Sequence, residues 1–178
     1  MFPNWFKNTV PFFERKCPQG PLRALQIGTY TGDATEWLLA NREIEYLYDV
    51  DTWEGSEEKQ HESLDFQSVE SYYNSRFATE KQVIKHKMTS DHFFDQNRKT
   101  FNFIYIDGSH TALQTALDGL NAFKVLDQGG VMAFDDYGWR EGGKAFLEPK
   151  RGIDAFLSVC EGEIELLETG YQVWIKKC

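Results

Sequence analysis

Two apolar runs in this chain of 178 residues end in groups able to hold a cation or move a proton. Phe101–Ile106 (FNFIYI) leads straight into Asp107-Gly108-Ser109-His110, and Val131–Phe134 (VMAF) leads into Asp135-Asp136-Tyr137. Carboxylates gathered at one point raise each other's pKa unless a cation neutralises them, and hard oxygen donors suit Mg2+, Mn2+ or Ca2+ better than zinc. His110, three residues past Asp107, would stand beside such an ion, where a neutral imidazole can take a proton near physiological pH. The plainer alternatives are that Asp107 and Asp135 cap helices or turns and that His110 opens a helix and faces water. Three acids at two neighbouring run ends exceed what capping requires.

A second set lies nearer the N-terminus. Leu22–Ile27 runs into Gly28-Thr29-Tyr30-Thr31-Gly32 and then into a helical pattern, giving G-x-x-x-G where dinucleotide binders carry G-x-G-x-x-G. Glycine lets a backbone approach a ligand closely, and a helix N-terminus presents unpaired N–H groups. A tight strand-to-helix turn is the other explanation. About twenty residues after Gly32, Glu45–Val50 ends at Asp51, where a carboxylate can accept two hydrogen bonds from a ribose diol. Thr52 and Trp53 follow; the indole can lie on an adenine face or pack the base of the loop. One ligand spanning both strand ends would be an adenosine-containing cofactor.

Both sets depend on the elements that carry them. Apolar runs of strand length alternate with stretches of helical period, the pattern of a mostly parallel sheet covered by helices on both faces. The strands are Leu22–Ile27, Glu45–Val50, Gln82–Met88, Phe101–Ile106 and Val131–Phe134, with Ile164–Leu167 and Tyr171–Ile175 flanking Gly170 as a closing antiparallel pair. Ala34, Trp37 and Leu38 mark one helix. Leu113, Leu117, Leu120 and Phe123 mark a longer one that runs to Gly129-Gly130, and Ser68–Thr79 and Gly152–Val159 are two more. In such sheets ligands bind beyond the carboxyl ends of the strands, where the acids and the glycine loop both fall. Residues 1–21, rich in Trp and Phe, read as an arm or helix packed on the core, lining a substrate site or forming a dimer contact. Residues 22–178 read as one domain. Glu54–Gln67, acidic and aperiodic, is a surface loop or a lid.

Composition narrows the function classes. Nineteen Lys and Arg against 28 Asp and Glu give a formal charge of −9, which argues against a duplex nucleic-acid reader or an anionic-membrane binder. Cys17, Cys160 and Cys178 fit neither a disulfide framework nor a paired zinc pattern. With no window near the length of a membrane span and an opening MFPNWFKNTVPFFERK that lacks a signal-peptide core, the expectation is a cytoplasmic protein.

LQIGTYTGDATEWLL, DVDTWEGS and FIYIDGSHTALQTALDGLNAFKVLDQGGVMAFDDYGW, in this order and spacing, resemble class I S-adenosylmethionine-dependent methyltransferases, specifically the small metal-dependent O-methyltransferases that include sugar-modifying members. The resemblance runs from Leu22 to the C-terminus. It implies a Rossmann-like, seven-stranded, mostly parallel sheet with an antiparallel C-terminal pair. It also implies that Gly28, Thr29, Tyr30, Thr31 and Gly32 hold the methionine part of S-adenosylmethionine, that Asp51 binds ribose with Thr52 and Trp53 at the adenosine, and that Ser90 lies by the adenine. Asp107, which also borders the cofactor, would bind a divalent cation, taken as Mg2+, together with Asp135 and Asp136, and His110 would be the catalytic base. Where the family commonly has an acid two places before the first glycine, this chain has Gln26, and a fourth ligand is sometimes supplied by the region matching Gly55–His61. The expected reaction is metal-dependent methyl transfer to a hydroxyl of a small molecule, sugar or glycan, by a protein that can be a homo-oligomer. A nicotinamide-dependent oxidoreductase shares the alternating elements and Asp51 but not the glycine pattern, and a catalytically silent cofactor-binding module is the third reading.

Overall fold

In the computed structural model, which describes residues 2–56, 61–140 and 144–178, the strands are β1 (Leu22–Ile27), β2 (Ile44–Asp51), β3 (Val83–Lys87), β4 (Phe101–Ile106), β5 (Leu126–Phe134), β6 (Ile164–Thr169) and β7 (Val173–Lys177). Among the described residues they form one sheet in the order β3-β2-β1-β4-β5-β7-β6. All pairings are parallel except those of β7, which runs antiparallel to β5 and β6. This is the Rossmann-like arrangement expected. The chain builds β1 to β3 outward on one side and then returns to place β4 beside β1, so the order reverses between β1 and β4, where a ligand crevice opens in such sheets.

The central strands are apolar on both faces because helices cover both. Leu25, Ile27, Ile104 and Ile106 belong to one core with residues of α4 (Ser90–Gln96), α5 (Ala112–Val125) and α6 (Pro149–Val159). The alternating Leu22, Ala24, Phe103 and Tyr105 belong to the other, with α1 (Val10–Lys16) and α2 (Asp33–Asn41). A third cluster ties Trp53 to Val69 and Tyr73 of α3 (Phe66–Phe77). The N-terminal segment is part of this packing: Phe13 is wholly buried, edge-on to Trp37, Phe103, Tyr105 and Trp174.

Several expectations are corrected. α5 does not run to Gly129-Gly130; it stops at Val125, and both glycines lie in the bulged entry to β5, where Phe101 pairs with Leu126 but Phe103 with Val131. Its buried face is Thr115, Asp118, Gly119, Ala122 and Phe123, whereas Leu113 and Leu117 are exposed. The stripe of leucines misleads because Gly119 lets α5 sit tightly against the sheet and α6: an added Cβ there would lie 2.8 Å from Phe134 and 3.1 Å from Phe156. The last strand starts at Val173, leaving Tyr171 in the turn. α4, with Thr89 accepting from the His92 N–H at its N-cap, is too short for its period to be read. No helix among the described residues is long and apolar enough to cross a membrane.

Candidate active site

Backbone hydrogen bonds carry the ladder one residue past the strands and pin the glycine loop to the sheet: Gly28 N–H donates to Val50 O (2.9 Å) and Asp107 N–H to Ile27 O (2.8 Å). Gly28 has φ +81°, and a Cβ there would fall 1.9 Å from the Asp107 carbonyl, so no side chain is admitted. Below the loop, Gln26 donates from Nε2 to Gly28 O (2.9 Å), and its Oε1 lies 3.2 Å from the Thr35 hydroxyl. The amide that stands in place of an acid is thus a loop brace.

Asp51 also braces. Its Oδ2 accepts from the N–H groups of Thr29 (2.7 Å) and Tyr30 (2.8 Å), and its Oδ1 from Trp53 N–H (2.7 Å). Of about four acceptor positions on a carboxylate, roughly one is left for a ribose hydroxyl, not the two expected. Trp53 is displaced further from its expected role. Its side chain is buried among Val69 and Tyr73 with Nε1 donating to Tyr30 O (2.9 Å), and it does not line the cavity. A Trp in a left-handed turn (φ 50°) points back under the loop rather than toward a ligand.

The acids at the ends of β4 and β5 converge, though not as the expected trio. Ligand atoms of Asp107, His110 and Asp136 all lie within 4.8 Å of one another. His110 Nε2 is 2.7 Å from Asp136 Oδ2, and the Tyr171 hydroxyl donates to Asp136 Oδ1 (2.8 Å). Asp135 is not in this group. One of its oxygens accepts from Tyr105 Oη, which is also 3.2 Å from Asp107, and the other accepts from Asp136 N–H (2.8 Å). The left-handed φ of Asp136 (59°) turns consecutive acids apart, Asp136 to the group with Asp107 and His110 and Asp135 onto Tyr105. Burial, and then the neighbouring carboxylates, hold Asp107 and Asp135 well above the usual carboxylate range.

The cavity joining both ends has a volume of about 610 Å³, within the range of small-ligand sites, roughly 300–1,000 Å³. Thr52, Thr89, Ser90 and Asp91 border it beyond β2 and β3, and Gln114 and Asp118 border it from α5. Gln114 Nε2 donates to Asp91 (3.1 Å) and Asp118 (3.0 Å), while burial pushes the Asp118 carboxyl up to about 6. Trp5, Phe6, Asn8 and Thr9 close one side, so the N-terminal segment both packs the core and lines the site. Gly55, His61 and Phe66 line it too; residues 57–60 of the Glu54–Gln67 segment lie outside the described residues, as does any fourth ligand expected from them. Tyr105, Asp118, Trp139 and Tyr171 were not legible as site residues, because only strand pairing and helix facing bring them here.

A family model described as a methyltransferase domain matches residues 25–137, from β1 through the acids after β5. The chain belongs to the methyltransferase domain family. No curated protein sequence matches it. Among solved structures, the N-methyltransferase NodS from Bradyrhizobium japonicum WM9 is similar with a TM-score of 0.68 at 14% identity, covering 96% of this chain and 94% of that one. An O-methyltransferase from Bacillus cereus in complex with SAH has a TM-score of 0.66 at 16% identity, covering 100% and 82%. A putative rRNA-methylase from Clostridium thermocellum has a TM-score of 0.68 at 12% identity, covering 99% and 97%. At these identities the likeness is one of fold, and the neighbours differ in the atom methylated.

The residues present fit both groups that the resemblance to metal-dependent O-methyltransferases implies. The Gly28 cradle excludes a side chain, and the buried Thr29 hydroxyl that lines the same cavity has no partner among the described residues. The two carboxylates of the group, Asp107 and Asp136, suit Mg2+ or Mn2+, with His110 beside them.

Proposed function

We propose that this protein transfers the methyl group of S-adenosylmethionine to a hydroxyl oxygen of a small-molecule or glycan acceptor, with a divalent cation, Mg2+ for preference, at the Asp107–His110–Asp136 group. The observation that carries the reading is the closeness of those three ligand atoms in the cavity that the glycine loop also lines. The Bacillus cereus relative, an O-methyltransferase solved with SAH, supports it.

In this reading the loop Gly28–Gly32 holds the methionine end, the free position on Asp51 and Thr52 meet the ribose, and Ser90 and Asp91 border the adenine. When bound, the donor supplies a methyl already activated on sulfur, and the cation supplies the Lewis acidity that lowers the acceptor hydroxyl's pKa. Asp107 and Asp136 would hold the cation. Asp135 acts from behind, fixing Tyr105 and the turn at Asp136. His110 takes the hydroxyl proton as the oxygen bonds to the methyl carbon and the carbon–sulfur bond breaks, and Asp136, 2.7 Å from Nε2, steadies the imidazolium that results. Holding the two reactants in line contributes much of the acceleration.

The test combines thermal shift with S-adenosylmethionine, NAD and Mg2+ and mass detection of a methyl gain on a hydroxylated metabolite and glycan library, with and without EDTA. Stabilisation by S-adenosylmethionine but not NAD, and a methyl gain abolished by EDTA, are expected. Transfer that survives chelation, or no donor binding, overturns the reading. The grouping also favours a second reading, in which His110 is itself a ligand. His110→Ala should lower turnover about 10²–10⁴-fold in either case. Unchanged Mn2+ affinity in that variant marks a base, and lost affinity marks a ligand.

A further inference from the structure

The C-terminal half of α3 holds three consecutive residues of the glycine loop. Arg76 donates to Thr31 O (2.7 Å) and pairs with Asp33 (2.7 Å). Gly32 has φ +80°, and a Cβ there would lie 2.3 Å from Phe77 and 3.0 Å from Tyr73, so helix and loop end are in direct contact. Trp53, whose Nε1 donates to Tyr30 O, packs on Tyr73 with ring centroids 4.9 Å apart. None of Tyr73, Arg76 and Phe77 lines the cavity. Whatever this half of α3 contributes to a ligand it contributes through the loop.

Tyr73 is itself anchored. It is buried, and its hydroxyl donates to Asp49 Oδ2 (2.7 Å), which also accepts from Thr35 Oγ1 (2.8 Å) in the first turn of α2. Asp49 is wholly buried and lies outside the cavity lining, and its Oδ1 has no partner among the described residues. As a source of stability the arrangement is poor, because burial pushes the carboxyl up to about 7 and an incompletely paired acid is costly to bury. An apolar residue would avoid that cost but would accept neither hydroxyl. The acid instead fixes the direction of Tyr73, and with it the surface on which Gly32 and Trp53 rest.

Resting on the methyl-transfer reading above, we propose that Tyr73 is a positioning residue for the donor: anchored by Asp49, it sets the placement of Tyr30–Gly32 and thereby the affinity for S-adenosylmethionine without touching it. A helix outside the donor site thus governs how well that site is formed.

The experiment is calorimetric titration of the full chain with S-adenosylhomocysteine and, separately, with Mn2+, alongside thermal melts. Tyr73→Phe keeps the ring against Gly32 and Trp53 and removes only the hydroxyl. If the competent loop placement falls to about a tenth of the molecules, the Kd for S-adenosylhomocysteine rises about tenfold, with Mn2+ affinity within about twofold of wild type. The paired variant Tyr73→Phe/Asp49→Leu separates positioning from stability. It exchanges both hydrogen-bond partners for apolar groups of similar shape, so it should melt no lower than Tyr73→Phe alone. Its donor affinity should nevertheless stay about tenfold down. Asp49→Asn, which keeps an oxygen for both hydroxyls, should recover most of that affinity.

Donor affinity in Tyr73→Phe equal to that of wild type overturns the proposal, and so does affinity that returns as the paired variant regains stability. An equal loss of Mn2+ affinity, or a loss in Asp49→Asn as large as in Tyr73→Phe, also overturns it. If the paired variant fails to fold, Tyr73→Phe decides alone. A wild-type chain that binds no S-adenosylhomocysteine, or no Mn2+, instead sinks the underlying reading.

Discussion

The two halves of the cavity are built on opposite physical terms. At the ends of β1 and β2 the charged groups around the loop are answered within the protein: Asp51 takes three N–H groups, Gln26 holds Gly28, and Arg76 pairs with Asp33. At the ends of β4 and β5 carboxylates crowd one another, two of them held above their usual range by burial and like charge. The first half is preformed and needs nothing from a ligand to stay folded. The second is under electrostatic strain that a cation would relieve, and such stored strain marks sites where structure serves a ligand more than stability.

The sharpest way to break this contrast is Gly28→Val. A side chain 1.9 Å from the Asp107 carbonyl must push the two halves apart. We expect calorimetric binding of S-adenosylhomocysteine to vanish and stability to fall by about 3 kcal/mol or more. Normal affinity would show that the loop is not the rigid half. Asp51→Ala comes next: three N–H groups lose their acceptor, and chemical denaturation should show a loss of about 2–3 kcal/mol. Asp107→Asn should move stability the other way. Its folded-state pKa is raised, so the charged form costs stability once the pH exceeds the ordinary carboxylate value, and the neutral amide removes that cost. In EDTA at pH 8 the variant should be more stable by about 1 kcal/mol while its Mn2+ binding is lost. A destabilised variant would mean that the rim is not strained.

The smallest effect tests whether the loop half is quiet in charge at depth. Asp49, beneath the loop, accepts from Tyr73 Oη (2.7 Å) and Thr35 Oγ1 (2.8 Å), and burial pushes its carboxyl up to about 7. Its contribution to stability is fully present below the unfolded value of about 4 and is lost as the pH rises through about 7. Asp49→Asn should flatten the stability slope across that window in pH-dependent melts. An unchanged slope would place its source elsewhere.

Much of the frame was readable because its causes are local. Phe101–Ile106 is apolar on both faces, so it had to be a central strand, and it is β4 to the residue. The glycine loop announced itself by spacing. The leucines of α5 misled because facing depends on Gly119 and on α6, which no window of sequence contains. Trp53 misled for a related reason: residue type shows what a side chain can do, but the left-handed turn there turned the indole away from the cavity, and the N–H groups of the loop take most of the acceptor positions of Asp51.

By itself the sequence determined the alternation of strands and helices, and therefore the mostly parallel sheet and the gathering of acids at strand ends, since periodicity and strand length follow from the nearest neighbours in the chain. Only the tertiary structure decided that Asp136 rather than Asp135 joins Asp107 and His110, and that Trp5 lies on Tyr30 across the same cavity. Those outcomes turn on a backbone dihedral, on a tyrosine from the adjoining strand and on a distant segment folding back, which are three-dimensional facts that no one-dimensional pattern encodes.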